Sequence, residues 1–369
     1  MTVFDLNGKE EKLMKPMSIS ADKYFFNEGI IPVWTGDTVY DESVAFVEDE
    51  NGFVEPARML YDIAEVVRVR SSDFQTEYEK GKDYTVENGM IARAPGSRIP
   101  LTGYATMFPA EKSDKCKEGA AGGFVLYDEH MAKRQVLVTY RHKDKWKGPD
   151  IPDQSGHFRR SLSILESGGT LRLHFFGDSI TTGCCSSSFW NVEPMLPTFP
   201  EAVAEILRRR YPKANVILTN TAVGGKESRW AAENAEERVV PYKADLFVLA
   251  FGMNDGRKGT DRYMAYNRSV IQAARRANPD CEILMICTTL ANPLFKGFYG
   301  NQVLFGAASK NLAANYDGAA ADMTSLHEYI LSRKRFADQS GNNINHPNDF
   351  LARIHTQLII HTVTGKDGV

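Results

Sequence analysis

The sequence predicts an α/β protein, a parallel sheet covered by helices on both faces, preceded by an antiparallel β-sandwich. Two observations carry that prediction. From about residue 30 to 145, short β-type runs follow one another across turn signals with no long helical period. From about residue 168, apolar runs of strand length alternate with segments of helical period. That alternation is the pattern of a parallel sheet buried on both sides.

In the first part, Glu65–Arg70 and Gln135–Tyr140 read as strands, and Gly81-Lys82-Asp83 and Glu87-Asn88-Gly89 read as turns. The ESGGT stretch, Glu166–Thr170, is the expected hinge, dividing the chain into domains 1–166 (jelly-roll-like) and 167–369. Leu171–Phe176 (LRLHFF) is a buried strand running into Gly177-Asp178-Ser179. Phe199–Arg210 predicts a helix with Val203, Ile206 and Leu207 on one face. Asn215–Leu218, Asp245–Phe251 and Glu282–Thr288 are further strands, and Gly318–Met323 is a weaker one. Helices are expected over Tyr263–Ala277 and Asp349–His361, the latter with Pro347 near its first turn.

Composition excludes several classes of function. The 369 residues are ample for two domains, and 43% hydrophobic with 25% charged residues is an ordinary globular mixture. A net charge of -3 lacks the basic excess of a nucleic-acid partner. No apolar run reaches the ~20 residues that cross a bilayer, so no membrane partner is expected. The first twenty residues carry no apolar h-region, which predicts a cytoplasmic protein unless a leader has been removed. The five cysteines (Cys116, Cys184, Cys185, Cys281 and Cys287) form no C-x-x-C pair and are expected to be reduced, space-filling thiols. No His, Cys and carboxylate group has ligand spacing, so neither a metal nor any cofactor is expected. P-loop, dinucleotide-binding, H-E-x-x-H and G-x-S-x-G motifs are all absent.

Ligands of parallel α/β sheets bind at the carboxyl ends of the strands. Three chemistry-bearing residues fall there: Ser179, Gly225 and Asn254. A serine in a glycine-flanked turn after a buried strand presents its hydroxyl above the sheet, and needs a base to become a nucleophile. Gly225, in the NTAVGG segment, lets a backbone N–H approach a substrate oxygen. The Asn254 amide, in FGMND, is a donor suited to developing negative charge. His346, in NINHPN before the last helix, titrates near neutrality and suits general base work.

In this order the segments resemble the SGNH hydrolases, the GDSL esterase/lipase family. Gly177-Asp178-Ser179 matches the first family block, Gly225 the glycine of the second, Gly252-Met253-Asn254-Asp255 the third, and His346 the histidine of the fifth. The resemblance spans about 200 C-terminal residues and implies a flavodoxin-like three-layer α/β/α fold. It implies Ser179 as nucleophile, His346 as base, and the Ser179 N–H, the Gly225 N–H and the Asn254 amide as the oxyanion hole, with Asp178 and Asp255 supporting. The family's usual aspartate three residues before the histidine is Asn343 here. In a serine hydrolase with a full triad, Asp to Asn costs about 10⁴ in kcat. The chain therefore resembles the family's carbohydrate esterases that work with a Ser-His dyad, and His346 Nδ1 is expected to face a neutral acceptor: a backbone carbonyl, the Asn343 oxygen or a water.

The family includes carbohydrate esterases with an N-terminal β-sandwich, which residues 30–160 resemble in layout. The expected activity is hydrolysis of a short acyl ester, acetyl foremost, on a small-molecule or carbohydrate substrate. Trp146, Trp190 and Trp230 are candidates for stacking on sugar faces. The alternatives are a lipid esterase or thioesterase and, outside enzymes, a carbohydrate-binding protein on an esterase fold.

Overall fold

The computed structural model describes residues 17–367, together with the backbone of a short antiparallel pair, Val3–Phe4 with Glu10–Glu11. The N-terminal region is antiparallel β structure. Strands β1 (Thr38–Val47), β2 (Glu65–Ser71), β3 (Leu101–Thr102) and β4 (Gln135–Arg141) form one sheet in the order β2–β4–β1–β3. Only the β1–β3 pair is parallel. Two-stranded ribbons, Tyr84–Glu87 with Met90–Arg93 and Cys116–Glu118 with Phe124–Leu126, extend from this sheet.

The C-terminal region is a five-stranded parallel sheet: β5 (Thr170–Gly177), β6 (Asn215–Asn220), β7 (Leu246–Ala250), β8 (Glu282–Ile286) and β9 (Ala319–Ala321). Its order is β6–β5–β7–β8–β9. The chain reverses its direction of winding between β5 and β7. In such a sheet the crevice for a ligand opens at that switch, above the strand ends. Each strand predicted here is present, with bounds moved by a few residues.

The helices that pack around this sheet include α1 (Arg159–Glu166), α2 (Phe199–Arg210), α3 (Ser228–Glu233), α4 (Thr260–Ala277), α5 (Gln302–Ala314), α6 (Met323–Arg333) and α7 (Asp349–Thr364). Helix α2 has the predicted bounds because its ends are signalled locally. Thr198 and Glu201 form a reciprocal capping box, Pro200 lies in the first turn, and three arginines complement the carboxyl end. Helix α1 begins where the Glu282 carboxylate of β8 accepts the N–H groups of Arg160 and Ser161. The Glu166–Thr170 stretch thus joins a helix anchored on the parallel sheet to the first strand of that sheet. Among the described residues, no helix is long and apolar enough to cross a membrane.

Helix α7 is buried on nearly every side. It packs on α2 and β9 and also on β1 of the antiparallel sheet. Its polar side chains are spent on the N-terminal region. Arg353 donates to the carbonyls of Gly29, Tyr40 and Asp41, and Gln357 to those of Gly29 and Ile31. One continuous apolar core runs from Val44, Val136 and Val138 through Phe350 and Ile354 to Leu171 and Leu284.

The two sheets also meet through a fully buried ion pair. Lys334, after α6, lies 2.7 Å from the Glu42 carboxylate of β1, and neither side chain has solvent exposure. Glu42 also accepts the Leu60 N–H and the Tyr140 hydroxyl. Removing one partner of such a pair strands a charge in the interior. Lys334→Met is expected to lower the unfolding free energy by about 3–5 kcal/mol in urea titrations. The Glu42→Gln/Lys334→Met double variant is expected to regain part of that loss. Equal losses in single and double variants would show that the two side chains do not act as a pair.

Candidate active site

The chain leaves β5 through a turn that only glycine permits. A Cβ on Gly177 would fall 2.2 Å from Thr181 Oγ1 and 2.6 Å from the Ala250 carbonyl. This close approach folds residues 178–184 back over the strand end. The Thr182 N–H donates to the Asp178 carbonyl, and the Cys184 N–H and Thr182 hydroxyl donate to the Ser179 carbonyl. Ser179 Oγ emerges at the switch between β5 and β7. The Asp178 side chain turns inward, where its carboxylate accepts the Ile180 N–H at 3.0 Å. Burial pushes that carboxyl up to about 7, against the pull of the Ile180 N–H and of His346.

His346 reaches Ser179 from the other side of the crevice, with Nε2 2.9 Å from Oγ. Its loop is tied together by two side chains: the Ser340 hydroxyl accepts the Asn343 N–H and donates to the His346 carbonyl, and Asn342 does more. The Asn342 oxygen accepts the N–H groups of Ile344, Asn345 and His346 at 2.9–3.0 Å. The nitrogen therefore faces outward, 3.1 Å from Asn345 Oδ1 and 3.0 Å from His346 Nδ1. The other group at Nδ1 is the Cys185 thiol, at 3.3 Å. No described carboxylate bonds to Nδ1.

Asn343 does not orient the ring. It sits at φ +68° with its side chain directed away, donating to the Leu126 carbonyl at 2.9 Å. Its own carbonyl accepts from Asn292. The left-handed backbone at 343 places its neighbour Asn342, not Asn343, beside the imidazole. Sequence reasoning missed Asn342. The available signal was the tendency of asparagine to bond backbone N–H groups two to four residues on.

The remaining predicted residues converge on the same strand ends. The Val223 N–H donates to the Gly177 carbonyl, and Asn220 Nδ2 to the Thr181 carbonyl, holding the 221–225 loop against the serine turn. Gly225 follows at φ +72°. Asn254 is exposed, and one of its amide protons goes to the Lys226 carbonyl at 2.9 Å. The second proton of that amide is available for a ligand. Asp255 is buried and accepts both the N–H and the hydroxyl of Ser228, which ties the Met253–Asp255 turn to the start of α3. Burial raises its carboxyl as well.

Three other histidines are held neutral in the core: burial lowers His174 and His327 to about 3 and His355 to about 4.

Two expectations from sequence are corrected. All five cysteines are free and buried, but Cys184 and Cys185 are not mere filling. They stand with His346 so that the two sulfurs and a ring nitrogen lie within 4.8 Å of one another. The His/Cys cluster missing from the sequence spacing is assembled by the fold, with Cys185 and His346 161 residues apart. The tryptophans also divide. Trp146 packs on Tyr329 with its N–H on the Pro149 carbonyl, and Trp230 packs on Phe176 with Lys226 and Arg238 over its ring. Trp190 lines a cavity of about 540 Å³, shared with Cys185, Glu129 and His130.

Among solved structures the chain is similar to a two-domain esterase (CEX) active on acetylated mannans, co-crystallised with mannopentaose, at 20% identity and a TM-score of 0.47. That match covers 56% of this chain and only 52% of the other. It is also similar to a variant of Axe2, an acetyl xylan esterase from Geobacillus stearothermophilus, at 19% identity and a TM-score of 0.44, covering 52% of this chain and 94% of that one. No curated protein matches. The sequence pattern of the GDSL-like lipase/acylhydrolase family matches residues 175–354, from the end of β5 into α7 and across every residue of the site. By that match the α/β region of this chain belongs to the GDSL-like lipase/acylhydrolase family of ester hydrolases.

Proposed function

We propose that the chain hydrolyses short acyl esters, acetyl foremost, carried by carbohydrates, through an acyl-enzyme on Ser179. The observation that carries this reading is the 2.9 Å approach of His346 Nε2 to Ser179 Oγ at the sheet's switch point. Ser179 attacks the ester carbonyl as its proton passes to Nε2. The Ser179 and Gly225 N–H groups and the free Asn254 amide proton receive the oxyanion, with Asp178 and Asp255 holding the two turns. His346 returns the proton to the leaving alcohol, and water then releases the acid. The division of the chain at residues 166 and 167 into a β domain and a hydrolase domain belongs to the same reading.

Proton transfer to Nε2 requires the ring to carry its other proton on Nδ1. The Asn342 amide can only donate there, so Cys185 Sγ is the acceptor for that proton. A neutral sulfur is a weak acceptor. The imidazolium accordingly has less support than a carboxylate would give it.

A groove of about 420 Å³ beside the His346 loop is lined by Tyr104, Phe108 and the 119–125 ribbon, flat faces suited to sugar rings. Exposed Leu294, Phe298, Tyr299 and Leu304 favour a second reading, a longer acyl chain.

A fluorophosphonate probe is expected to label Ser179 alone, and Ser179→Ala to abolish hydrolysis of p-nitrophenyl acetate. The rate is expected to fall as the acyl chain lengthens. A rate that rises with chain length selects the lipid reading, and acetate hydrolysis surviving in Ser179→Ala overturns the nucleophile.

Asn254→Ala is expected to lower kcat by about 10²–10³ with little change in KM. A change confined to KM would place Asn254 in ground-state binding.

The third outcome separates the two asparagines. Asn342→Ala is expected to lower kcat and move the pH–rate profile, because the imidazole loses its neighbour at Nδ1. Asn343→Gly keeps the left-handed backbone and is expected to leave the profile unchanged. The reverse pattern would return the positioning role to Asn343.

A further inference from the structure

We propose that Cys184, Cys185 and His346 form a site for a zinc-type divalent cation, and that occupying it switches the esterase off. The second half rests on His346 being the base; the first half does not.

The geometry is that of a metal site. Ligands on a tetrahedral zinc, at about 2.3 Å for sulfur and 2.0 Å for nitrogen, stand about 3.5 Å apart. Cys185 Sγ and His346 Nδ1 are 3.3 Å apart, and Cys184 Sγ completes a triangle within 4.8 Å. The chain is locked in this arrangement. Cys185 sits at φ +71°, which turns two successive side chains toward one point. Gly341 packs so closely that a Cβ there would fall 2.4 Å from Cys185 Cβ, fixing the dithiol against the His346 loop.

A cation held by both sulfurs deprotonates them outright, so the site offers it two thiolates and an imidazole. Cys185 lines the 540 Å³ cavity, which offers a route inward and room for a water as fourth ligand.

The direction of the effect follows from proton bookkeeping. On binding, both thiol protons pass to solvent and the cation takes the lone pair of Nδ1. The neutral ring then carries its proton on Nε2, the nitrogen that faces Ser179 Oγ. In that form Nε2 has no lone pair with which to accept the serine proton. The cation therefore inhibits without entering the crevice.

The test uses the full chain stripped of metal with a chelator. Cobalt(II) is expected to bind stoichiometrically with an intense thiolate-to-metal absorption that Cys184→Ser weakens. Zinc chloride is expected to abolish both p-nitrophenyl acetate hydrolysis and fluorophosphonate labelling of Ser179, with recovery on adding EDTA. Cys184→Ser is expected to retain activity and to need more than about tenfold more zinc for half-inhibition, since losing a ligand costs at least as much as losing an outer partner. Absence of the cobalt band overturns the site whether or not the protein hydrolyses esters. Full activity at zinc concentrations that displace bound cobalt overturns the switch, as does activity that requires zinc.

Discussion

The carboxamide of Gln135 is the constraint on which the site depends. It extends from the first residue of β4, fully inside the protein, and makes three hydrogen bonds to the segment that carries His346. Its nitrogen donates to the carbonyls of Ala337 and Ser340, and its oxygen accepts from Asn348. Around it, Asp338 accepts the Ala45 N–H, and the Ser43 hydroxyl donates to the Asp338 carbonyl. Each polar group along this seam is out of water, so each must find its partner or cost free energy. A buried amide satisfied at both ends fixes the relative position of what it joins. The antiparallel sheet is thus the clamp for the loop from which the imidazole projects, while the parallel sheet holds the serine.

That division explains what the sequence revealed and what it withheld. Strands β5 to β8 and helices α2, α4 and α7 were legible because each carries its own signal, apolar runs for the strands and caps and periodicity for the helices. Helices α5 and α6 were not. Helix α5 is rich in alanine, and in both helices buried positions are spread around the axis, so neither shows a clean polar side. Within the site, Ser179, Gly225, Asn254 and His346 stood at strand ends or before a helix, where local pattern exposes them. Cys185 did not, because its meaning lies in a contact with His346, 161 residues away; Asn342 meets the same ring from only four residues away and was passed over in favour of the family spacing. Asn343, at the expected spacing from His346, was misassigned because spacing counts residues and ignores a left-handed backbone that swings the side chain away.

The environment of Nδ1 sets this site apart from a full triad. An aspartate there stays charged, fixes one tautomer and repels nothing. Here an amide donor and a thiol share the position, and they favour opposite tautomers of the ring. Asn342 favours the form with the proton on Nε2, and Cys185 the form with it on Nδ1. The equilibrium between them lies under the control of the dithiol, whose protonation and ligation respond to the surroundings in a way a carboxylate's do not.

The seam also has a consequence for how the protein is made. Ser43 and Asp338 are 295 positions apart, and Gln135 and Ser340 are separated by 205. A ribosome releases the antiparallel sheet long before the segment that satisfies Gln135 and Glu42. Until α6 and α7 emerge, the inner face of that sheet presents unpaired polar groups beside Val44, Val136 and Val138. Contacts so distant in sequence close slowly, and the open intermediate exposes strands to other chains. Synthesis of this protein therefore passes through a stage in which its largest liability is the surface that later anchors its histidine.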